Sequence, residues 1–131
     1  MTSAELRTIL QIIGISGLEF ADLIEVNPRT VRRWLSEQAP PAFAQEKAQA
    51  YLDTFIDRQR EIIDALDSQA ESLGEPQAVT LYRYRSEESA RRAGIDMPYS
   101  IHCALIGFVY ASLIAEGYEV EVDYYAEDIA Q

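Results

Sequence analysis

Asn27-Pro28-Arg29-Thr30-Val31-Arg32-Arg33-Trp34-Leu35 constrains this chain more than any other stretch. Asn27 before Pro28 is a helix start. An amide side chain caps the first turn, and a ring presets φ and lacks an N–H that the first turn has no use for. Side chains on the helix that follows are about 100° apart. Arg29, Arg32 and Arg33 then fall on one face, and Val31, Trp34 and Leu35 on the opposite one. Such a helix packs through one side and holds guanidinium groups into solvent on the other. A helix fits the major groove of B-DNA, where arginine pairs with O6 and N7 of guanine.

The residues just before it predict a second, shorter helix. Ser16 and Glu19 have the Ser-x-x-Glu spacing of a capping box. Phe20, Leu23 and Ile24 supply an apolar stripe, and Ala21 is small where a crossing helix must come close. Glu25-Val26 makes a brief turn, with Val26 expected to point inward. Two short helices, a tight turn and an exposed basic second helix form a helix-turn-helix pattern.

On these residues, positions 1 to about 41 resemble the Cro/lambda-repressor type of helix-turn-helix domain. The matching positions are Ala21, Val26, the cap Asn27, Val31, Arg33-Trp34 and the prolines Pro40-Pro41. The whole layout is similar to the YdiL-like proteins and to anti-CRISPR-associated regulators. Those have such a domain first, then a long helix and a small C-terminal α+β part used for dimerisation. The resemblance implies a sequence-specific transcriptional regulator. It would be a cytoplasmic homodimer that represses its own operon from an inverted repeat in double-stranded DNA. The helix starting at Asn27 is expected to place Pro28, Arg29 and Arg33 on bases. Gly17, Asn27, Thr30 and Arg32 are expected on phosphates.

The chain departs from the family pattern at three places. Gly17 stands where a phosphate-holding glutamine is usual, which leaves only its backbone N–H. Glu25 stands where a turn glycine is usual, and a left-handed conformation there costs about 1 kcal/mol or more. Leu35 and Glu37 replace the usual glutamate and glycine at the end of the second helix.

Charge bears on this reading through its distribution. The net charge of −11 argues against general affinity for nucleic acid. Yet residues 26–36 hold three arginines and no acid, whereas six acids and no lysine or arginine follow Ser100. Screening acts over about 8 Å at physiological salt, so a distant acidic tail does not silence a local basic face. The single Cys103 cannot form an internal disulfide, and no cationic segment leads into an apolar N-terminal run. A reduced, intracellular setting is expected.

The rest of the chain predicts a mostly helical protein of two parts, residues 1–73 and 74–131. A first helix over 3–13 carries Leu6, Ile9, Leu10 and Ile13 on one side, with Gly14 as its stop. Pro40-Pro41 interrupts the chain, and a long helix follows over 42–72, its coiled-coil seam broken by Gln59. Gly74-Glu75-Pro76 marks the boundary. Residues 79–85 alternate and predict a strand; Ser86 caps a short helix that stops at Gly94; residues 118–124 alternate apolar with acidic and predict a second strand. Between them residues 98–116 form an uncharged-cored helix, apolar nearly all round. It falls short of the ~20 apolar residues of a membrane span and contains Pro98, Ser100, His102 and Ser112. A helix covered on every side, in part by a second subunit, is expected instead. Ile101, Leu105, Phe108 and Leu113 are its core and dimer-interface candidates. This C-terminal part reads β-α-α-β.

Other chemistry is thin. His102-Cys103 cannot make a four-ligand metal site and reads as core or interface. Glu119, Glu121 and Asp123 line one solvated strand face, and Arg83 and Arg85 share a face from which they would pair with that row if the strands are neighbours. No phosphate loop, nucleophile with a base or cofactor box is legible, so neither an enzyme nor a bound cofactor or metal is expected. The competing expectation is a protein-interaction module with a vestigial helix-turn-helix and an acidic surface for a basic partner, or an antitoxin-type regulator bound to another protein.

Overall fold

In the computed structural model, which describes residues 1–74 and 78–126, the chain is mostly helical with one small sheet. In order the elements are α1 (Ser3–Ile13), α2 (Gly17–Leu23), α3 (Pro28–Ser36), α4 (Ala42–Leu73), β1 (Val79–Arg83), α5 (Glu87–Arg92), α6 (Tyr99–Ala115) and β2 (Val120–Tyr124). The chain divides into two compact units, Met1–Ile56 and Asp57–Gln131. The division falls inside α4, ahead of the Gly74 boundary read from sequence; Glu75 and Pro76 of that boundary lie outside the described residues.

In the first unit α1, α2 and α3 each start at a residue able to hold an orphan amide. Thr2 and Glu5 form a reciprocal capping box on α1, which the sequence reading did not identify. Ser16 accepts from the Glu19 N–H at 3.1 Å on α2, and Asn27 caps α3. Gly14 ends α1 in the left-handed conformation at φ 79°. The periodic apolar positions meet in one core. Leu6, Ile13, Phe20 and Val31 are fully buried, with Ala21, Ala44 and Ala48 between them. Trp34 is buried and meets the Phe43 ring edge-on, centroids 5.9 Å apart. Val26, expected inside, is only half-buried, as are Leu23 and Ile24.

In the second unit β1 and β2 pair in parallel, Val79 beside Val120 through Arg83 beside Tyr124. A parallel pair needs a long crossover, which α5 and α6 provide. The strands are shorter than expected, and their register corrects the expected pairing of Arg83 and Arg85 with the acidic row. Side chains alternate along a strand. Glu121 and Asp123 stand level with Thr80 and Tyr82, whereas Arg83 shares its face with Val79 and Leu81. Arg85 instead lies over the Tyr124 ring, 3.9 Å from its centroid. Gln59, which interrupts the apolar seam of α4, donates to the Ser112 hydroxyl on α6 at 3.0 Å.

The expected role of α6 also needs correction. Ile101, Leu105 and Leu113 are buried within one chain, so they are core residues of this unit and are not open to a second subunit. Of those candidates only Phe108 reaches the surface; Tyr110 and Ile114, one turn apart, are exposed on a different side of the helix. No helix of the described residues is long and apolar enough to cross a membrane.

Candidate nucleic-acid interface

The basic helix is set by the turn that precedes it. Glu25 adopts φ 58°, the one left-handed non-glycine among the described residues. Its N–H reaches the Asp22 carbonyl at 3.3 Å, and the Val26 N–H reaches the Ala21 carbonyl at 2.9 Å. The chain is thereby turned so that α3 packs back on α2. That an ordinary residue holds this conformation means the surrounding packing outweighs a cost of about 1 kcal/mol.

The start of α3 is internally satisfied. Asn27 Oδ1 accepts from the Arg29 N–H at 2.9 Å, and the Asn27 carbonyl accepts from Thr30 and Val31. Pro28 has no N–H. Asn27 and Arg29 are exposed at this end of the helix, and Thr30 is half-buried.

Two contacts fix the rotation of α3 about its axis. Val31 and Trp34 are buried in the core. On the flank, Leu35 packs over Gly17 so closely that a Cβ at position 17 would lie 2.8 Å from Leu35 Cδ1. Glycine at the start of α2 therefore has a steric reason: it admits α3. With that face fixed, Arg29 projects from the middle of the solvent face and Arg33 lies to one side of it, toward the Thr30 flank. Arg32 lies toward the Leu35 flank, where α2 begins. All three are exposed. The ion pairs among the described residues, Arg58 with Asp96, Arg91 with Glu87 and Arg92 with Glu88, involve none of them.

Arg7 was missed in the sequence. Its Nη2 donates to the Leu35 carbonyl at 3.2 Å, so α1 adds a fourth guanidinium at the C-terminal end of α3, where the helix dipole favours a cation. Nothing local to α1 signals this; the contact joins residues far apart in the chain. Beside the start of α3 lies a groove of about 510 Å³ lined by Leu18, Glu19, Ala21, Asp22, Glu25, Val26 and Pro28. Leu18 is 67% exposed there, so the groove combines an accessible apolar side chain with the carboxylates of Glu19, Asp22 and Glu25.

The second unit gathers a different set of polar groups. Arg83 Nη2 lies 3.5 Å from Cys103 Sγ, and the Tyr99 hydroxyl donates to the Tyr84 carbonyl at 2.6 Å. Arg83 Nε and His102 Nδ1 are buried and without a hydrogen-bond partner. Burial lowers the His102 pKa, and the Arg83 charge adds to this. Burial also works against the Arg83 charge, but Cys103 and Tyr99 outweigh it and hold the pKa above its ordinary value. Burial, then Cys103, raises that of Tyr99. Of these groups Tyr99 also lines an open groove of about 310 Å³, with Glu87, Ala90, Arg91, Ile95, Asp96 and Met97.

Gly17, Asn27, Pro28, Arg29, Thr30, Arg32 and Arg33, the positions singled out in sequence, thus all belong to the first unit, on α3 and the start of α2. No family model matches the chain, and no curated protein matches it.

Proposed function

We propose that this chain is a sequence-specific DNA-binding transcriptional regulator without enzymatic activity, acting as a homodimer on an inverted repeat. The observation that carries the reading is the solvent face of α3. Three exposed arginines, outside every ion pair of the described residues, stand on a helix whose rotation is fixed by Val31, Trp34 and the Gly17–Leu35 contact. A left-handed turn joins α3 to α2, and together they form the helix-turn-helix. Arg29 and Arg33 take base edges in the major groove, with Pro28 against a thymine methyl. Arg32 takes a phosphate, with Asn27, Thr30 and the Gly17 N–H near the backbone.

Dimerisation falls to the second unit. Tyr110 and Ile114 on α6 and Val122 on β2 are large apolar side chains left at the surface, and a second copy would cover them. Two arginine faces on one DNA make the second contact effectively intramolecular.

Fluorescence anisotropy with labelled duplexes from the gene's own upstream region tests the reading. Arg32→Ala should weaken binding to all sequences alike and flatten the salt dependence by about one unit of slope. Binding that never exceeds that to an unrelated duplex, with the protein folded, would reject it. Ile114→Asp should shift light scattering from dimer to monomer and weaken operator binding together. A wild-type monomer that binds its operator tightly would remove the dimer from the proposal.

One observation favours a second reading. The groove at Leu18, lined also by Glu19, Asp22 and Glu25, suits a basic segment with an apolar anchor. A protein-interaction module would lose its partner on Leu18→Glu and be indifferent to Arg29→Ala; a DNA-binding regulator would show the opposite.

A further inference from the structure

We infer that each half of the DNA target carries two guanines within three consecutive base pairs, one read by Arg29 and one by Arg33. This rests on the DNA-binding reading above and makes it specific. Arg29 and Arg33 are one turn apart on the exposed face of α3, both on the side away from the start of α2 relative to Arg32. Four residues of helix rise about 6 Å, and base pairs are stacked about 3.4 Å apart. Laid along the major groove, the two guanidinium groups come level with bases about two steps apart, and convergence of the two long side chains shortens this to one step. Arginine in the major groove selects guanine, through a two-pronged contact with O6 and N7.

The rest of the face limits what else is read. Adenine is read by Asn or Gln and cytosine by Asp or Glu, and residues 28–36 contain none of these. The Ser36 hydroxyl is held by the Arg32 carbonyl at 2.9 Å. Arg32 leans to the flank where α2 begins, away from the middle of the face. Both base-reading positions rest on ordered backbone. The Arg29 N–H is held by Asn27, and the Arg33 carbonyl accepts from the N–H groups of Glu37 and Gln38. Base discrimination by α3 is therefore guanine discrimination, with Pro28 adding a thymine methyl at one end.

The full-length chain is used to select duplexes from a randomised pool. The enriched duplexes should share two guanines within three base pairs in each half. Replacing either by 7-deazaguanine, which keeps its base pairing but lacks N7, should weaken binding at least about fivefold. In Arg29→Ala one of the two replacements should cost nothing further while the other keeps its full effect, and Arg33→Ala should reverse the pattern. Both positions are exposed, so unchanged melting curves confirm that the variants remain folded. An enriched site without this guanine pair, or one insensitive to both replacements, overturns the inference and leaves DNA binding standing. A pool from which the folded protein enriches nothing overturns DNA binding itself, and the inference with it.

Discussion

The two units handle polarity in opposite ways. Residues 1–56 hold five basic and seven acidic side chains and are close to neutral, whereas residues 57–131 hold six and fifteen. The nearly neutral unit leaves its α3 arginines in solvent and builds its core from apolar groups alone. The acidic unit places Arg83 and His102 inside, each with a buried nitrogen lacking a partner, and leaves Tyr82, Tyr110, Ile114, Val122 and Tyr124 exposed. Both units expose arginines and some large apolar side chains, Leu18 and Phe43 in the first among them, so the contrast lies in net charge and in the polar groups buried by the second unit. Net charge for the whole chain hides the difference between a nearly neutral unit and a strongly acidic one.

The strongest way to break the contrast is to break the first core. Phe20 is fully buried among the helices that hold α3. Phe20→Ala should cost about 3–5 kcal/mol, read by urea denaturation, and should abolish DNA binding without touching an arginine. A loss under 1 kcal/mol would mean that α2 is not what fixes the arginine helix.

Gly17→Ala sharpens the same point at smaller scale. The new Cβ meets the end of a flexible side chain, so Leu35 can rotate aside at a cost of about 1 kcal/mol. The salt slope of DNA binding should stay near the wild-type value, because the arginines remain. Glu25→Gly should do the reverse and stabilise by about 0.5–1 kcal/mol, since glycine adopts the left-handed turn without strain. A destabilised Glu25→Gly protein would show that the glutamate side chain, and not the packing around it, holds the turn.

The smallest effect belongs to the second unit. His102 is held below its ordinary pKa by burial, then by Arg83, so the unfolded chain takes up a proton at higher pH than the folded one. The stability contributed by a neutral His102 is complete above the unfolded value of 6.5 and is lost as pH falls through the lowered folded value. The unfolding midpoint should therefore be flat well above pH 6.5 and decline as pH falls below that value, and His102→Gln should flatten that decline. An unchanged slope in the variant would place the titrating group elsewhere.

Local rules made much of the first unit legible. Asn27-Pro28 gave the start of α3, Gly14 the end of α1, and a three- and four-residue apolar period the buried faces, because these depend on neighbours within a turn or two. The long helix and both strands were legible for the same reason. The steric reason for Gly17 was not legible, because its neighbour Leu35 is distant in sequence. Arg7 and Gln59 went unexplained for that reason too, since their partners, the Leu35 carbonyl and Ser112, lie on other helices.

The sequence by itself determined which residues form helices and strands and which side of α3 carries its charge. Both follow from side-chain spacing and end chemistry along a short length of backbone. Tertiary structure alone decided that the strands run parallel, that Arg83 turns from the acidic row, and that Ile101, Leu105 and Leu113 are interior. Pairing direction and burial are set by which distant segments meet, and alternation along one strand is the same whichever neighbour it finds.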